Sequence, residues 1–392
     1  MRLLICAGGT GGGVYPALAV LQRLIKDDGG KTELDGEPSL GTHLDEILWV
    51  GVEGGLEADL VTRVNVPYVT ISSAGVHGVG LKALPGNLLR LFKGFFMSLR
   101  VLNRFQPDVM LFTGGYIAVP MAIAGRIRRM ISTIPKSVLY VPDIEPGLAL
   151  KTIARFADRI AVTAHEAKHF FSFHKNVNVT GYPVRNDLNK WSSIQAREVF
   201  GLQDGLKTLL VFGGSQGARS INRALLEALQ ELLAEIQIIH ICGSQNWSEV
   251  LEKVLSMNLA LIDRYHLYPY LYEEMGAALT VADLVISRAG AATLGEFPLF
   301  GLPAILVPYP HAWHYQKINA QYLAQHGAAI KIKDEELKSS ITSSVLNLIN
   351  DSDRLNQMSV AMQSLASPGA VDRIANILIT MAVSNKKFDK DL

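Results

Sequence analysis

Cysteine is nearly absent from this chain, with only Cys6 and Cys242 among 392 residues. That scarcity excludes a disulfide framework, and because both cysteines sit in apolar, strand-like stretches they read as buried thiols of a reducing, cytoplasmic compartment. No run of about 18 uncharged apolar residues occurs, so no helix is expected to span a membrane. The apolar start, MRLLICA, is too short for the hydrophobic region of a signal peptide and runs straight into glycines. Charge of one sign is also missing: 37 basic residues oppose 36 acidic ones for a formal net charge of +1. With no long Lys/Arg run either, nucleic acid is not an expected partner.

Metal-ligating clusters are scarce as well. His165-Glu166-Ala167-Lys168-His169 fits the H-E-x-x-H pattern, which on an α-helix would set two imidazoles on one face for zinc. No third ligand follows at the extended spacing, since His174 comes only five residues later, and the segment follows a strand of an α/β alternation. Asp351-Ser352-Asp353 resembles a metal-binding D-x-D, but it lies between helical stretches and away from any glycine loop, so Asp351 reads as a helix N-cap. Neither a metal nor another cofactor is expected.

What the chain does have is 49% hydrophobic and 19% charged residues, a globular profile with material for two or three domains. Short apolar runs alternate with helical stretches from Leu3 to Thr180, and a second such set runs from Thr208 to Ile332. Each set opens with a strand, a glycine loop and a helix: Gly8-Gly9-Thr10-Gly11-Gly12-Gly13 in the first, with the helix from about Pro16, and Gly213-Gly214-Ser215-Gln216-Gly217-Ala218 in the second. This predicts an α/β protein of two Rossmann-like domains facing a cleft, the GT-B architecture. The expected boundaries are residues 1–185 and 186–368; in the GT-B architecture the last helix packs back on the first domain, which implies that role for about 369–383. The first loop also carries a G-x-G-x-x-G-like spacing, but the acidic residue of a dinucleotide site would fall in the polar stretch from Asp27 to Leu44, which weighs against NAD.

Residues 284–320 carry the densest signal. A buried strand should end at Ser287-Arg288-Ala289-Gly290, with a helix over Ala291 to Phe300. Gly290 allows backbone to approach a ligand, and free N–H groups at the helix start favour a phosphate. Thr293 and Glu296, three residues apart, would share a helix face, placing a hydroxyl near the phosphate and a carboxylate one turn deeper, suited to a ribose diol. The loop from Pro308 to His314 should face the same crevice.

These residues, read as S-R-A-G-A-x-T-x-x-E, then G-L-P-A-I-L-V-P, then Q-x-x-N-A, resemble the N-acetylglucosaminyltransferases of glycosyltransferase family 28 that serve peptidoglycan synthesis. The likeness extends to GGTGG at 8–12, Gly114-Gly115-Tyr116, Gly181 with Pro183-Val184-Arg185, and GGSQGAR at 213–219. It implies an inverting transfer of N-acetylglucosamine from UDP-GlcNAc to the polyprenyl-linked glycolipid lipid I, giving lipid II, by a peripheral protein on the cytoplasmic face of the membrane. Carried over position by position, it implies that Thr10, Gly11, Gly12, Arg185, Ser215, Ala291, Ala292, Thr293, Leu294, Gly295, Glu296 and Gln316 contact UDP-GlcNAc. The backbone at Tyr272 is implied to meet the uracil.

Residues 85–105 combine Leu, Phe and Met with Arg90, Lys93, Arg100 and Arg104 and contain no acid. They suit either a core helix with a solvated basic face or a surface that meets an anionic membrane. Two positions depart from the family pattern: Gly13 stands where its first loop has His, and Tyr140-Val141-Pro142-Asp143 replaces H-E-Q-N. A general base must therefore come from elsewhere, with Asp143 the first candidate and Glu145 the second. Transfer to another glycolipid, or epimerisation of a UDP-sugar on the same architecture, are the alternatives.

Overall fold

The computed structural model of the protein describes residues 1–8, 11–26, 44–52, 54–74, 84–131, 135–214, 217–257, 260–311 and 314–388. The chain divides into two compact units, one built from Met1–Arg185 together with the segment that begins at Gly369, the other from Asn186–Pro368.

The first unit runs β1 (Arg2–Cys6), α1 (Gly11–Lys26), β2 (Glu46–Gly51), α2 (Leu56–Thr62), β3 (Tyr68–Thr70), α3 (Leu84–Phe105), β4 (Val109–Phe112), α4 (Ala118–Ile131), β5 (Lys136–Val141), α5 (Leu148–Ile153), β6 (Arg159–Val162) and β7 (Val177–Val179). All neighbouring strands are parallel, in the order β3-β2-β1-β4-β5-β6-β7. The second unit runs α6 (Ser193–Phe200), β8 (Thr208–Phe212), α7 (Arg219–Glu235), β9 (Gln237–Ile241), α8 (Trp247–Leu255), β10 (Tyr265–Tyr268), α9 (Met275–Val281), β11 (Leu284–Ser287), α10 (Glu296–Phe300), β12 (Ala304–Leu306), α11 (Tyr315–Gln325), β13 (Ala329–Lys331), α12 (Leu337–Ile349) and α13 (Ser352–Ser364). Its parallel sheet has the order β10-β9-β8-β11-β12-β13. Each unit is a Rossmann-like domain, so the pair is of GT-B type. The final helix, α14 (Ala370–Phe388), packs on α1 of the first unit.

Strand alternation builds the first core on both faces of its sheet. Leu3 and Ile5 of β1 join a buried cluster with Val14, Leu21 and, from α14, Ile374, Leu378 and Met381. Leu4 and Cys6 point the other way, into a cluster with Leu102, Met121 and Ile153. An Arg23–Asp372 ion pair at 2.5 Å and an Arg373 Nε donation to the Thr180 carbonyl at 3.0 Å fasten α14 further. Both cysteines are free and buried.

Local chemistry sets the element ends. Ser192 and Gln195 form a capping box on α6, Gly201 closes that helix in the left-handed region at φ 62°, and Asp351 caps α13 by accepting from the Arg354 N–H at 3.0 Å. His165–Phe171 is a 3₁₀ helix, not an α-helix, with both His165 and His169 exposed. At three residues per turn, side chains four apart diverge by about 120°, which removes the shared face a zinc pair needs. The strand β10 was not expected: Tyr265-His266-Leu267-Tyr268 is too polar to stand out as an apolar run. Among the described residues, no helix is long and apolar enough to cross a membrane.

Candidate functional site

In open parallel sheets, ligands bind beyond the strand C-termini where the strand order reverses. The second unit reverses between β8 and β11. The two strands end at Phe212 and Ser287; β8 leads into the glycine loop and β11 into the Arg288-Ala289-Gly290 turn.

The glycine loop must be glycine-rich. Gly214 and Gly217 hold φ of 95° and 77°, and a Cβ on Gly217 would collide with the Cys242 carbonyl oxygen. That carbonyl already accepts from Asn222 Nδ2 at 2.9 Å and Asn246 Nδ2 at 3.2 Å. Asn222 Oδ1 in turn faces His240 Nε2 at 3.1 Å, while His240 Nδ1 meets the Tyr265 hydroxyl at 2.6 Å. Burial pushes His240 down to about 3, so the imidazole is neutral. Ser215, expected to touch the ligand, lies outside the described residues.

Gly290 differs from those glycines. Its φ of −68° is open to any residue and an added Cβ would meet nothing within 4 Å, so the fold does not demand glycine there. The missing side chain leaves open space beside the backbone. The expected helix over 291–300 is two pieces: a 3₁₀ turn at Ala291–Leu294, a break at Gly295 (φ −129°, ψ −46°), and α10 from Glu296. Pro298 explains the break. It has no N–H to give the Leu294 carbonyl, and starting α10 at Glu296 puts it in a first turn, where no intrahelical partner is needed.

The same turn engages Thr293. Its backbone N–H and its hydroxyl both donate to the Gly290 carbonyl, at 3.0 and 2.7 Å, and the residue is 4% exposed. The hydroxyl proton is therefore committed to the turn. Leu294 and Gly295 are buried behind it, while Ala292 and Glu296 are partly exposed. Ala291 and Ala292 stand at the start of the 3₁₀ turn, where N–H groups lack helical acceptors.

Gln316, in the first turn of α11, accepts the Tyr309 N–H at 2.9 Å and so braces the 308–311 loop, and buried Asn319 donates to the Ala289 carbonyl at 3.1 Å. Tyr272 is exposed, its ring 4.6 Å from Tyr270, and its N–H is accepted by Glu274 Oε2 at 3.3 Å. Arg288 and Asn319 were not singled out from sequence, although both lie inside the motif strings.

In the first unit the strand order reverses between β1 and β4. Gly11 and Gly12 already belong to α1, which starts five residues before the expected Pro16; Thr10 lies outside the described residues. Beneath Gly8 sits Glu57, fully buried, accepting the Val52 N–H at 2.8 Å, with its Oε1 in the space that a Gly8 Cβ would need. Gly115 (φ 82°) crosses the Gly8 carbonyl so closely that a Cβ would lie 2.5 Å from it. Arg185 packs its guanidinium 4.8 Å from the centre of the Tyr15 ring.

After β5, Tyr140 is buried and its hydroxyl meets Thr163 Oγ1 at 2.7 Å; burial first, with Asp143 adding, holds its phenol well above the usual range. Asp143 is partly exposed beyond it, and Glu145 pairs with Lys151 Nζ at 3.3 Å. On α3, Leu88, Leu89, Phe92 and Phe96 are all more than half exposed, beside exposed Arg90, Lys93 and Arg100. A purely core role for this helix does not fit that face.

Two reversed parallel sheets define a protein of GT-B type, and likeness to known proteins gives the activity. Residues 3–162 match the glycosyltransferase family 28 N-terminal domain and residues 208–374 its C-terminal domain. The chain belongs to glycosyltransferase family 28 and is a glycosyltransferase. It is similar to the UDP-N-acetylglucosamine--N-acetylmuramyl-(pentapeptide) pyrophosphoryl-undecaprenol N-acetylglucosamine transferase of Roseiflexus sp. (strain RS-1), at 37% identity over 98% of this chain and 95% of that protein. The protein of the same name from Desulforamulus reducens is 35% identical over 95% of this chain and 97% of that protein. Among solved structures, Acinetobacter baumannii MurG superposes with a TM-score of 0.70 at 24% identity, covering 97% of this chain and 99% of that one. A UDP-GlcNAc 2-epimerase from Neisseria meningitidis, solved bound to UDP-GlcNAc, shares the fold at a TM-score of 0.67 and 14% identity, covering 97% and 100%.

Proposed function

We propose that the protein is an inverting transferase that moves N-acetylglucosamine from UDP-GlcNAc to lipid I, giving lipid II, as a peripheral enzyme on the cytoplasmic face of the membrane. The observation that carries this reading is the near-full-length likeness, at 35–37% identity, to two proteins named for that reaction.

In this reading residues 186–368 take the donor. The N–H groups of Ala291 and Ala292 face a phosphate in the space beside Gly290. Glu296 accepts from the ribose hydroxyls, and the Gln316 amide, with its carbonyl held by Tyr309, turns its N–H donors to the sugar. Stabilising the leaving UDP by aligned N–H groups needs no metal.

Residues 1–185, with α14, take the acceptor. The exposed Leu and Phe side chains of α3 enter the interfacial layer while Arg90, Lys93 and Arg100 meet anionic headgroups. Asp143 takes the proton from the acceptor hydroxyl as that oxygen attacks the anomeric carbon and UDP departs, with Glu145 the second choice. An epimerase on the same fold would have no use for the apolar face of α3, so that face favours transfer. Purified protein offered a panel of UDP-sugars with lipid I and with other polyprenyl and diacylglycerol acceptors should yield lipid II from UDP-GlcNAc alone, identified by mass spectrometry. Transfer only to a different acceptor overturns the lipid I assignment, and conversion of UDP-GlcNAc without an acceptor overturns transfer itself.

A further inference from the structure

Arg288 sits where three loops of the second unit meet. It directly follows β11, yet its side chain reaches well beyond its own turn. Nη1 donates to the Val307 carbonyl at 3.0 Å and to Asp334 Oδ1 at 2.5 Å, and Nη2 donates to Ser220 Oγ at 2.7 Å. The Ser220 hydroxyl in turn donates to Asp334 Oδ1 at 2.7 Å, closing a triangle of arginine, serine and carboxylate. The guanidinium also lies 5.3 Å from the centre of the Tyr309 ring. The arginine side chain is 10% exposed and the carboxylate 19%.

Each partner marks the edge of a different loop. Ser220 stands in the first turn of α7, immediately after the 213–218 glycine loop. Val307 and Tyr309 belong to the segment that follows β12 and leads to Gln316, which itself accepts the Tyr309 N–H. Asp334 follows β13. Arg288 itself precedes the Gly290 turn, and Asn319 of α11 holds the carbonyl of the next residue, Ala289. A desolvated ion pair is a poor source of net stability, because taking both charges out of water costs about as much as their attraction returns. Its planar fork with fixed donor directions is, however, well suited to holding backbone segments in register.

We infer that Arg288 is a positioning residue for the donor: through Ser220, Val307 and Asp334 it holds the start of α7, the Gly290 turn and the Val307–Tyr309 segment in the one arrangement that receives a nucleotide diphosphate. This rests on the reading that the second unit binds UDP-GlcNAc, and goes further in assigning the affinity to a clamp that makes no ligand contact of its own.

The test is UDP affinity by calorimetry for the parent, Arg288→Lys, Ser220→Ala, Asp334→Asn and the double variant Ser220→Ala/Arg288→Lys, with melting temperature and steady-state kinetics alongside. Lys207→Gln is the control, since the Lys207–Asp283 pair at 2.8 Å ties β8 to β11 at their opposite ends. A hydrogen bond to a charged group contributes enough that each single clamp variant should weaken UDP, and raise the donor KM, about tenfold while the acceptor KM stays within about twofold. The double variant should lose little more than Arg288→Lys alone, because both act through one network. If Ser220→Ala and Asp334→Asn bind UDP like the parent and Arg288→Lys does not, Arg288 touches the donor directly and the inference is overturned. It is equally overturned if all three keep parental UDP affinity with a lowered melting temperature, which would make the clamp a stabiliser only. Should the Arg288 and Asp334 variants fail to fold, Ser220→Ala decides alone, since it removes one oxygen and leaves the ion pair in place. A parent that binds no UDP would instead sink the donor reading, a failure visible before any variant is made.

Discussion

A Cβ placed on Gly13 would lie 2.9 Å from the carbonyl oxygen of Thr113, so α1 and the end of β4 approach each other through the one residue that permits it. The space a side chain would take at this position is occupied by backbone. The departure in the first glycine loop is therefore built into the packing of the first unit, and a side chain cannot be restored there without moving β4 or α1.

Gly13→Ala should accordingly destabilise the protein. Alanine gains about 1 kcal/mol over glycine in a helix, but forcing a methyl against a fixed carbonyl costs about 1–3 kcal/mol, leaving a net loss of about 1 kcal/mol. Thermal melting checks it: a melting temperature equal to or above the parent's would mean that α1 shifts freely away from Thr113.

Glu296→Ala should weaken UDP binding at least about tenfold, since a carboxylate accepting from two ribose hydroxyls makes charge-assisted bonds of about 1.5–3 kcal/mol each before compensation. Thr293→Val should disturb the Gly290 turn rather than remove a phosphate donor, because the threonine hydroxyl is spent on the Gly290 carbonyl. Calorimetry with UDP separates the two: an unchanged affinity for Glu296→Ala would rule that residue out of the ribose site.

Asp143→Asn is expected to cut turnover about a hundredfold or more with UDP-GlcNAc affinity nearly intact, general-base catalysis contributing about 10²–10⁴ in rate. Glu145→Gln should be milder, since it loses the Lys151 pair and not the base. The reverse pattern, with Asp143→Asn active and Glu145→Gln dead, would move the role to Glu145.

Replacing Arg90, Lys93 and Arg100 together by Gln should reduce sedimentation with anionic vesicles at least about tenfold, each basic residue near such a surface contributing about 1 kcal/mol. Phe92→Ser and Leu89→Ser should weaken binding to neutral vesicles too, where the basic set has no role. Identical sedimentation of all variants and parent would leave α3 without a membrane function.

His240 predicts how stability responds to acid. Its folded-state value is depressed to about 3, below an unfolded value of about 6.5, so between those limits the unfolded chain binds a proton that the native state refuses. Stability then rises with pH across that window, and its contribution is lost as pH falls below about 6.5. From pH 7 to pH 5 the loss from this residue is about 2 kcal/mol. Urea denaturation at the two pH values should show a smaller difference in His240→Gln than in the parent; equal slopes would mean that the imidazole is not titrating on unfolding.

Much of the architecture was legible because parallel strands buried on both faces are continuous apolar runs: β4, β6, β8 and β11 fall on the residues that periodicity marks. β10 escaped because Tyr265, His266 and Tyr268 give an edge strand no apolar signature. The continuous helix over 291–300 failed at Pro298, whose missing N–H was readable in advance. The Thr293 commitment was not readable in that way, since a hydroxyl in a 3₁₀ turn and one on an α-helix look alike in sequence. Glu57 beneath Gly8 and Arg288 at the loop junction were invisible for a different reason: their partners lie tens of residues away, and only the fold brings them together.

The return of α14 to the first unit also orders events at the ribosome. Residues 186–368 form a continuous segment and can fold as soon as they emerge, whereas Leu3, Ile5 and Leu21 wait for Ile374, Leu378 and Met381, near the far end of the chain, to cover them. Of the two units, the one synthesised earlier is thus the later to be finished. Until then the apolar flank that α14 covers stays open, and a chaperone has a surface to hold there.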